Sequence, residues 1–327
     1  MARAPLLLLA LLSGLLAGPT CASRPYVPLL DAFDCPLMPD DSYWHADVSA
    51  LPVHPRSEAW VHSIGLDAPV HPDFGSSPRF GGLSLGGPVG IPYVTVGQRQ
   101  PRVPVSFDFA AESDPGPYPI PADAPIEGGT DSLGDRHVLV VDGRACILYE
   151  LFDAIPEADG SWSAGSGAIF RLGTNELRPE GWTSADAAGL PILPGLVRFE
   201  EAALGLVGHA LRFTAPRTQS AALWPARHFE SADADPDLPP MGAWFRLRAE
   251  VDPARFSPLV RPIVEALKRH GMILADNGSP WSLSGAPSDH WDDAVLRELR
   301  GLSGADFEAI DASSLIVDRG SGRAAGP

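Results

Sequence analysis

Residues 127–153, EGGTDSLGDRHVLVVDGRACILYELFD, constrain the fold more than any other stretch of the chain. Two β-branched and aromatic runs, His137 to Asp142 and Ala145 to Phe152, flank Asp142-Gly143-Arg144. Asp-Gly between such runs predicts a β-hairpin. A turn at Asp142-Gly143 sets Asp135 opposite Glu150; a turn at Gly143-Arg144 sets His137 there. In both registers the period-2 alternation of strands puts His137, Leu139, Val141, Cys146, Leu148 and Glu150 on one face. That face is apolar near the turn and ionisable at its far end. Ionisable groups at the edge of an apolar face are costly unless paired or used. The rest of the chain is therefore read for partners to this face.

Short runs rich in Val, Phe, Trp and Ile predict further strands at residues 91–96, 103–109, 168–172, 243–251, 272–275 and 307–310, and residues 205–214 end in a strand whose His209, Leu211 and Phe213 share a face. Prolines keep the first two at an edge or a bulge. Helices are expected at residues 57–65, with Ser57 as N-cap, and 257–271, with Ser257 as cap and Pro258 at the first helical position. Another is expected at 292–300, and Thr183 or Ser184 caps a single turn ended by Gly189. Residues 66–90 and 276–279 read as loop and turn. Strands dominate, and the helices do not alternate with them. The expectation is a mainly β chain with a β-sandwich or jelly-roll-like core and a few short peripheral helices.

The 327 residues begin with one basic residue, an apolar run from Leu6 to Leu16, then small residues. That pattern predicts a secretory signal peptide over residues 1–22, too short to span a bilayer. A lipid anchor on Cys21 is the alternative. The expected organisation is one secreted domain over residues 23–318, with an ordered N-terminal arm at 23–56 and a disordered tail at 319–327. After signal cleavage Cys35 and Cys146 remain, and an oxidising compartment favours a disulfide between them. The net charge of −17 argues against nucleic acid or anionic membrane as a main partner.

No H-E-x-x-H, C-x-x-C, Walker loop or G-x-G-x-x-G occurs, which removes zincins and the common nucleotide enzymes. The remaining ionisable residues suit polysaccharide chemistry, which needs a carboxyl pair as acid and base or nucleophile. Glu127, Glu150 and Asp186 are the acid/base candidates, and His137, His209 and His228 further proton-transfer candidates. Asp135, Trp182, Trp224 and Arg227 are candidates for substrate binding, the tryptophans as platforms for sugar rings. The expected function is a secreted hydrolase or lyase on an extracellular polysaccharide, acting as a monomer without a cofactor. The alternative is a non-catalytic glycan-binding or cell-surface module. Asp135, His137, Glu150, His209 and His228 could also ligate a divalent metal, though no pair has diagnostic spacing. Plainer roles compete throughout: strand-end pairs for Asp135, Arg136 and His137, a satisfied core histidine for His209, a loop anchor for Arg227, and a plain turn for Asp276-Asn277-Gly278.

The strings PYPIPADAPIEGG, GDRHVLVVD, LRPEGWTSADAAGLPILPGL, GHALRFT, WPARH, LKRHGMILADNGS and SGAPSDHWDD resemble those of a group of secreted bacterial proteins with no established activity. The resemblance spans residues 35–311. It implies one secreted domain and carries over no catalytic residue.

Overall fold

A computed structural model describes residues 35–76 and 89–326. The expected signal segment, Cys21 and the first part of the N-terminal arm lie outside the described residues. Strands take 25% of the chain against 18% for helices, so the chain is mainly β, with few and short helices.

Thirteen strands form three sheets among the described residues. The largest has six strands. They are β1 (His71–Asp73), β9 (Leu211–Ala215), β10 (Trp244–Leu247), β11 (Met272–Asn277), β12 (Ser282–Ser284) and β13 (Phe307–Ile310), in the order β1-β12-β9-β11-β10-β13. The second contains β2 (Tyr93–Val96), β4 (Val138–Asp142), β5 (Ile147–Phe152) and β8 (Ser166–Arg171), in the order β2-β4-β5-β8. The third pairs β3 (Val105–Phe107), β7 (Trp162–Ala164) and β6 (Ile155–Pro156), in the order β3-β7-β6. Each sheet mixes parallel and antiparallel pairs, whereas a jelly roll is built on antiparallel ones.

The expected hairpin is β4-β5, with a longer connection than a two-residue turn. Asp142 pairs with Ile147 and Leu139 with Glu150, leaving Gly143 to Cys146 as the loop. The Asp142 carboxylate accepts hydrogen bonds from the Arg144 and Ala145 N–H groups at 3.1 Å each, which stabilises this wider loop. Neither expected register holds. The shared face survives, because every one of these registers pairs an odd with an even position. Leu139, Val141 and Leu148 pack into the main core with Ala168 and Phe170. Val138, Val140, Tyr149 and Leu151 pack with Tyr118, Ile120 and Trp162 into a second core on the other side. The hairpin is thus buried on both faces, and its polar residues must find partners within the protein.

Helix α1 (Ser57–Ile64) forms as expected, but Arg56 takes the N-cap place and the Ser57 hydroxyl instead receives the Ala309 N–H. A short α2 (Phe199–Ala203) precedes β9. Helix α3 (Arg261–Arg269) starts one turn later than the capping pattern implies. Proline has no N–H and clashes with the carbonyl four residues back, so Pro262 is accommodated only in a first turn. Helix α4 (Asp293–Leu296) starts from Asp292, whose carboxylate accepts the Ala294 and Val295 N–H groups. Residues 183–189 form a turn, not a helical turn.

In the described part of the arm, Tyr43 and Trp44 are fully buried in the main core. The tail is not loose either. The Ser321 carbonyl accepts the Trp224 indole N–H, Gly322 N–H bonds Asn175, and Ala324 is buried. Cys35 and Cys146 form the expected disulfide, tying the start of the described chain to the hairpin loop.

Candidate functional site

Three neighbouring strands of the six-stranded sheet set Asp73 (β1), Ser284 (β12) and Arg212 (β9) in one row. Paired residues of adjacent strands point to the same side. Alternation therefore sends His71, Asp73, Ser282, Ser284, Arg212 and Thr214 to one face, and Pro72, Leu283 and Phe213 to the other. A β-bulge between Leu274 and Asp276 then shifts β11 so that Asp276, not Ala275, pairs with Thr214. Without that extra residue Asp276 would fall on the opposite face. Bulges re-aim side chains in this way, and here the result is a carboxyl group beside Arg212.

Arg212 is the centre of this face. Its Nε and Nη2 donate to the two oxygens of Asp186 at 2.9 Å each, Nη2 also to Asp276 at 3.1 Å, and Nη1 to Ser284 Oγ at 2.5 Å. Such a planar fork onto a carboxylate is a geometry lysine cannot reproduce. Burial opposes the guanidinium charge, but Asp186 and then Asp276 outweigh it and hold it charged. Asp186 is presented by the 183–189 turn, where the Ser184 hydroxyl accepts the Asp186 N–H and Ala188 N–H reaches the Ala275 carbonyl. Gly189 closes the turn at φ +70°, and a β-carbon there would stand 2.6 Å from the Trp182 carbonyl oxygen.

The second sheet contributes His137, just ahead of β4. Its Nδ1 lies 2.6 Å from Glu127 Oε2 and its Nε2 3.0 Å from the Ala185 carbonyl. Burial disfavours the ring's charge, but the Glu127 carboxylate and its hydrogen bond outweigh that and raise the pKa to about 9. Burial likewise pushes Glu127 up, and His137 more than reverses it, so Glu127 sits below the usual range. The pair is imidazolium and carboxylate. Arg136, between Asp135 and His137, adopts φ +49°. That left-handed conformation costs about 1–2 kcal/mol. Hydrogen bonds from Arg136 to the carbonyls of Ala154, Thr130 and Ser132 hold it there.

Four carboxyl groups meet solvent at this site. Asp135 and Asp73 are exposed, and the side chains of Glu127 and Asp276 each keep 20% of their surface. Crowding by protein, and then Asp186, push Asp276 up to about 8, against the pull of Arg212. Asp73 is exposed at its rim yet crowded from the sides. That crowding raises its pKa, with Glu127 and Asp135 adding to it and His71 opposing.

The site contains Glu127, Asp135 and His137 from the expected set, and differs from it elsewhere. Asp186 has no exposed side-chain surface and serves as the counter-ion of Arg212. Glu150 is also fully buried; its oxygens accept the N–H groups of Ile192 and Leu193 at the start of a 3-10 turn. Neither can touch a polymer. His209 joins another network, with Nε2 3.1 Å from Glu201, Nδ1 2.8 Å from the Ala210 carbonyl, and Arg198 alongside. It lines a separate cavity of about 400 Å³ with His45, Glu201 and His270, which none of the four solvent-facing carboxyl groups lines. His228 backs the 183–189 turn from outside, with Nδ1 2.8 Å from the Ala187 carbonyl. Arg227 is spent on Glu180 and the carbonyls of Arg178 and Arg319. Trp224 is core, and Trp182 is half-buried with Arg178 over its ring. Trp281 and Trp291 are buried with their indole N–H groups bonded to carbonyls. Arg212 and Asp73 were missed by sequence reasoning, and Asp276, read as part of a plain turn, lies in β11. Gly82-Leu83-Ser84-Leu85-Gly86 has the spacing of a nucleophile elbow but lies outside the described residues.

Burial, opposed by the Ile192 and Leu193 N–H groups, raises Glu150 from 4.5 to about 7. A carboxyl group raised in the folded state contributes stability that is full below its unfolded pKa and is lost as pH rises through the folded value. Urea midpoints measured from pH 5 to pH 8 should therefore fall in the wild type. In Glu150→Gln that part of the fall should vanish, a difference of roughly 2–4 kcal/mol.

No family model, curated protein or solved structure matches the chain.

Proposed function

We propose that the chain is a secreted enzyme that cleaves an extracellular polysaccharide, by hydrolysis or elimination, at the site of Glu127, Asp135, His137 and Asp276. One observation carries the reading: Asp276, within reach of solvent, holds its proton near neutral pH in a site that also holds carboxylates. Environments that push the pKa values of neighbouring carboxyl groups apart mark out an acid and a base. Asp276 is the proton donor to a leaving oxygen; Glu127 and Asp135 are the groups that take a proton or orient the attacking water. Arg212 and His137 hold these carboxyl groups from behind. The Cys35–Cys146 disulfide, and the lack among the described residues of any helix long and apolar enough to cross a membrane, fit an extracellular location. The segments resembling the secreted bacterial group also meet here: Glu127, Asp135, His137, Asp186, Arg212, Asp276 and Ser284 each come from one of them.

The test is a panel of polysaccharides, read by reducing-end release and by absorbance of unsaturated uronates. On a cleaved polymer, Asp276→Asn should lower kcat at least ~100-fold, the usual scale of general acid catalysis. Wild-type kcat/KM should fall as pH rises through about 8, where Asp276 loses its proton. Full activity in Asp276→Asn, or no cleavage of any polymer, would overturn the reading.

A further inference from the structure

We propose that Glu127, Asp135 and His137 bind a divalent metal ion, drawn from the first-row ions that accept nitrogen as well as oxygen. One ligand atom from each residue can be chosen so that all lie within 4.8 Å of one another, the spread of a single coordination shell. Orientation is the first argument. The Ala185 carbonyl can only accept, so His137 Nε2 carries hydrogen and donates to it at 3.0 Å. The ring is thereby fixed with Nδ1 turned to Glu127, and a metal ion binds there by displacing the Nδ1 proton to solvent. Metal-binding histidines are held in this way, by the other ring nitrogen donating to a carbonyl or carboxylate.

Charge is the second argument. Glu127, Asp135 and Asp186 stand around two cationic groups, Arg212 and His137, while the neighbouring Asp73 and Asp276 are held toward their protonated forms. Both cations are already committed to carboxylates. A divalent ion that replaces the His137 proton adds one net positive charge at the exposed end of the cluster, where Asp135 lies.

An independent observation comes from β1. His71 Nδ1 is shut off from solvent and has no hydrogen-bond partner. His71 leaves β1 on the same face as Asp73, whose carboxyl group feels Glu127 and Asp135. A buried ring nitrogen without a partner is costly, and this one lies on the sheet face that also carries Asp73 and Arg212. The donor set of imidazole and carboxylate favours Zn²⁺ or Mn²⁺ over Ca²⁺ and Mg²⁺, which prefer all-oxygen shells. This inference goes beyond the polysaccharide reading and does not depend on it.

The test is titration calorimetry of the chelator-treated protein with ZnCl₂, MnCl₂ and CaCl₂, with metal content after dialysis read by elemental analysis. One Zn²⁺ or Mn²⁺ per chain is expected, bound at least ~10-fold more tightly than Ca²⁺. Asp135 is exposed, so Asp135→Asn should keep the wild-type melting temperature without metal and lose at least ~10-fold in affinity, the lower end of what loss of a group around a metal costs. His209→Gln, in the separate network, should leave affinity unchanged. Absence of stoichiometric binding, or equal affinity in Asp135→Asn, would overturn the site whatever the polysaccharide screen returns.

Discussion

Arg212→Met should destabilise the protein by about 3–5 kcal/mol, the cost of breaking a buried ion pair from one side. The cause is not the loss of attraction alone. Asp186 has no exposed side-chain surface, and without Arg212 its charge is left in a medium that cannot solvate it. Asp276 and the Ser284 hydroxyl lose a donor in the same step. Arg212→Lys should recover little, because one ammonium cannot hold both oxygens of Asp186 and also reach Asp276 and Ser284. Asp186→Asn combined with Arg212→Met should cost clearly less than the sum of the single changes, since it removes charge from both sides of the pair. Urea unfolding of the four proteins at pH 7 closes the cycle. Single and double variants that add without coupling would show that the pair is not the core of this network.

The same residues explain what was legible in the sequence. The hairpin was, because Asp-Gly and two β-branched runs act locally. Its shared face was legible as well, since the face depends only on parity, and Leu139, Val141 and Leu148 do meet Glu150's side of the sheet. The register was not, because the Asp142 side chain binds the Arg144 and Ala145 N–H groups and holds a wider loop. Arg212 left a signal that went unused: a charge between Leu211 and Phe213, in a strand with apolar neighbours on either side in sequence, has to be paired inside the protein. Asp276 could not be placed by alternation, because a one-residue bulge moves it to the other face. Asp73 sits in a three-residue strand, His71–Asp73, whose pairing with β12 is parallel and distant in sequence. Glu150 and His209 were expected at the site because ionisable residues near apolar faces invite use. The protein satisfies them instead, one with backbone N–H groups and one with Glu201 and Arg198.

Removing the disulfide is the second large perturbation, and it acts on a different part of the molecule. The bridge closes 111 residues between Cys35 and Cys146. Loop-closure models put such a constraint on the unfolded chain at about 4–5 kcal/mol, and measured losses run from roughly 2 to 5. Cys35→Ala with Cys146→Ala should therefore lower the urea midpoint markedly, and wild type in reductant should match it. Cys146 itself sits at φ +51°, a conformation its side chain tolerates poorly. Its carbonyl accepts the Leu172 N–H at 2.9 Å, which joins the hairpin loop to the end of β8. Loss of the bridge therefore loosens the turn end of the hairpin. Glu150 lies toward the other end, paired with Leu139 and Ala168 and held by the Ile192 and Leu193 N–H groups. The double variant should thus keep the fall in stability between pH 5 and pH 8 that Glu150 confers, displaced downward at every pH. If that dependence disappeared with the bridge, the disulfide would be setting the hairpin register itself. The four-residue loop would then be a consequence of the cross-link rather than of the Asp142 side chain.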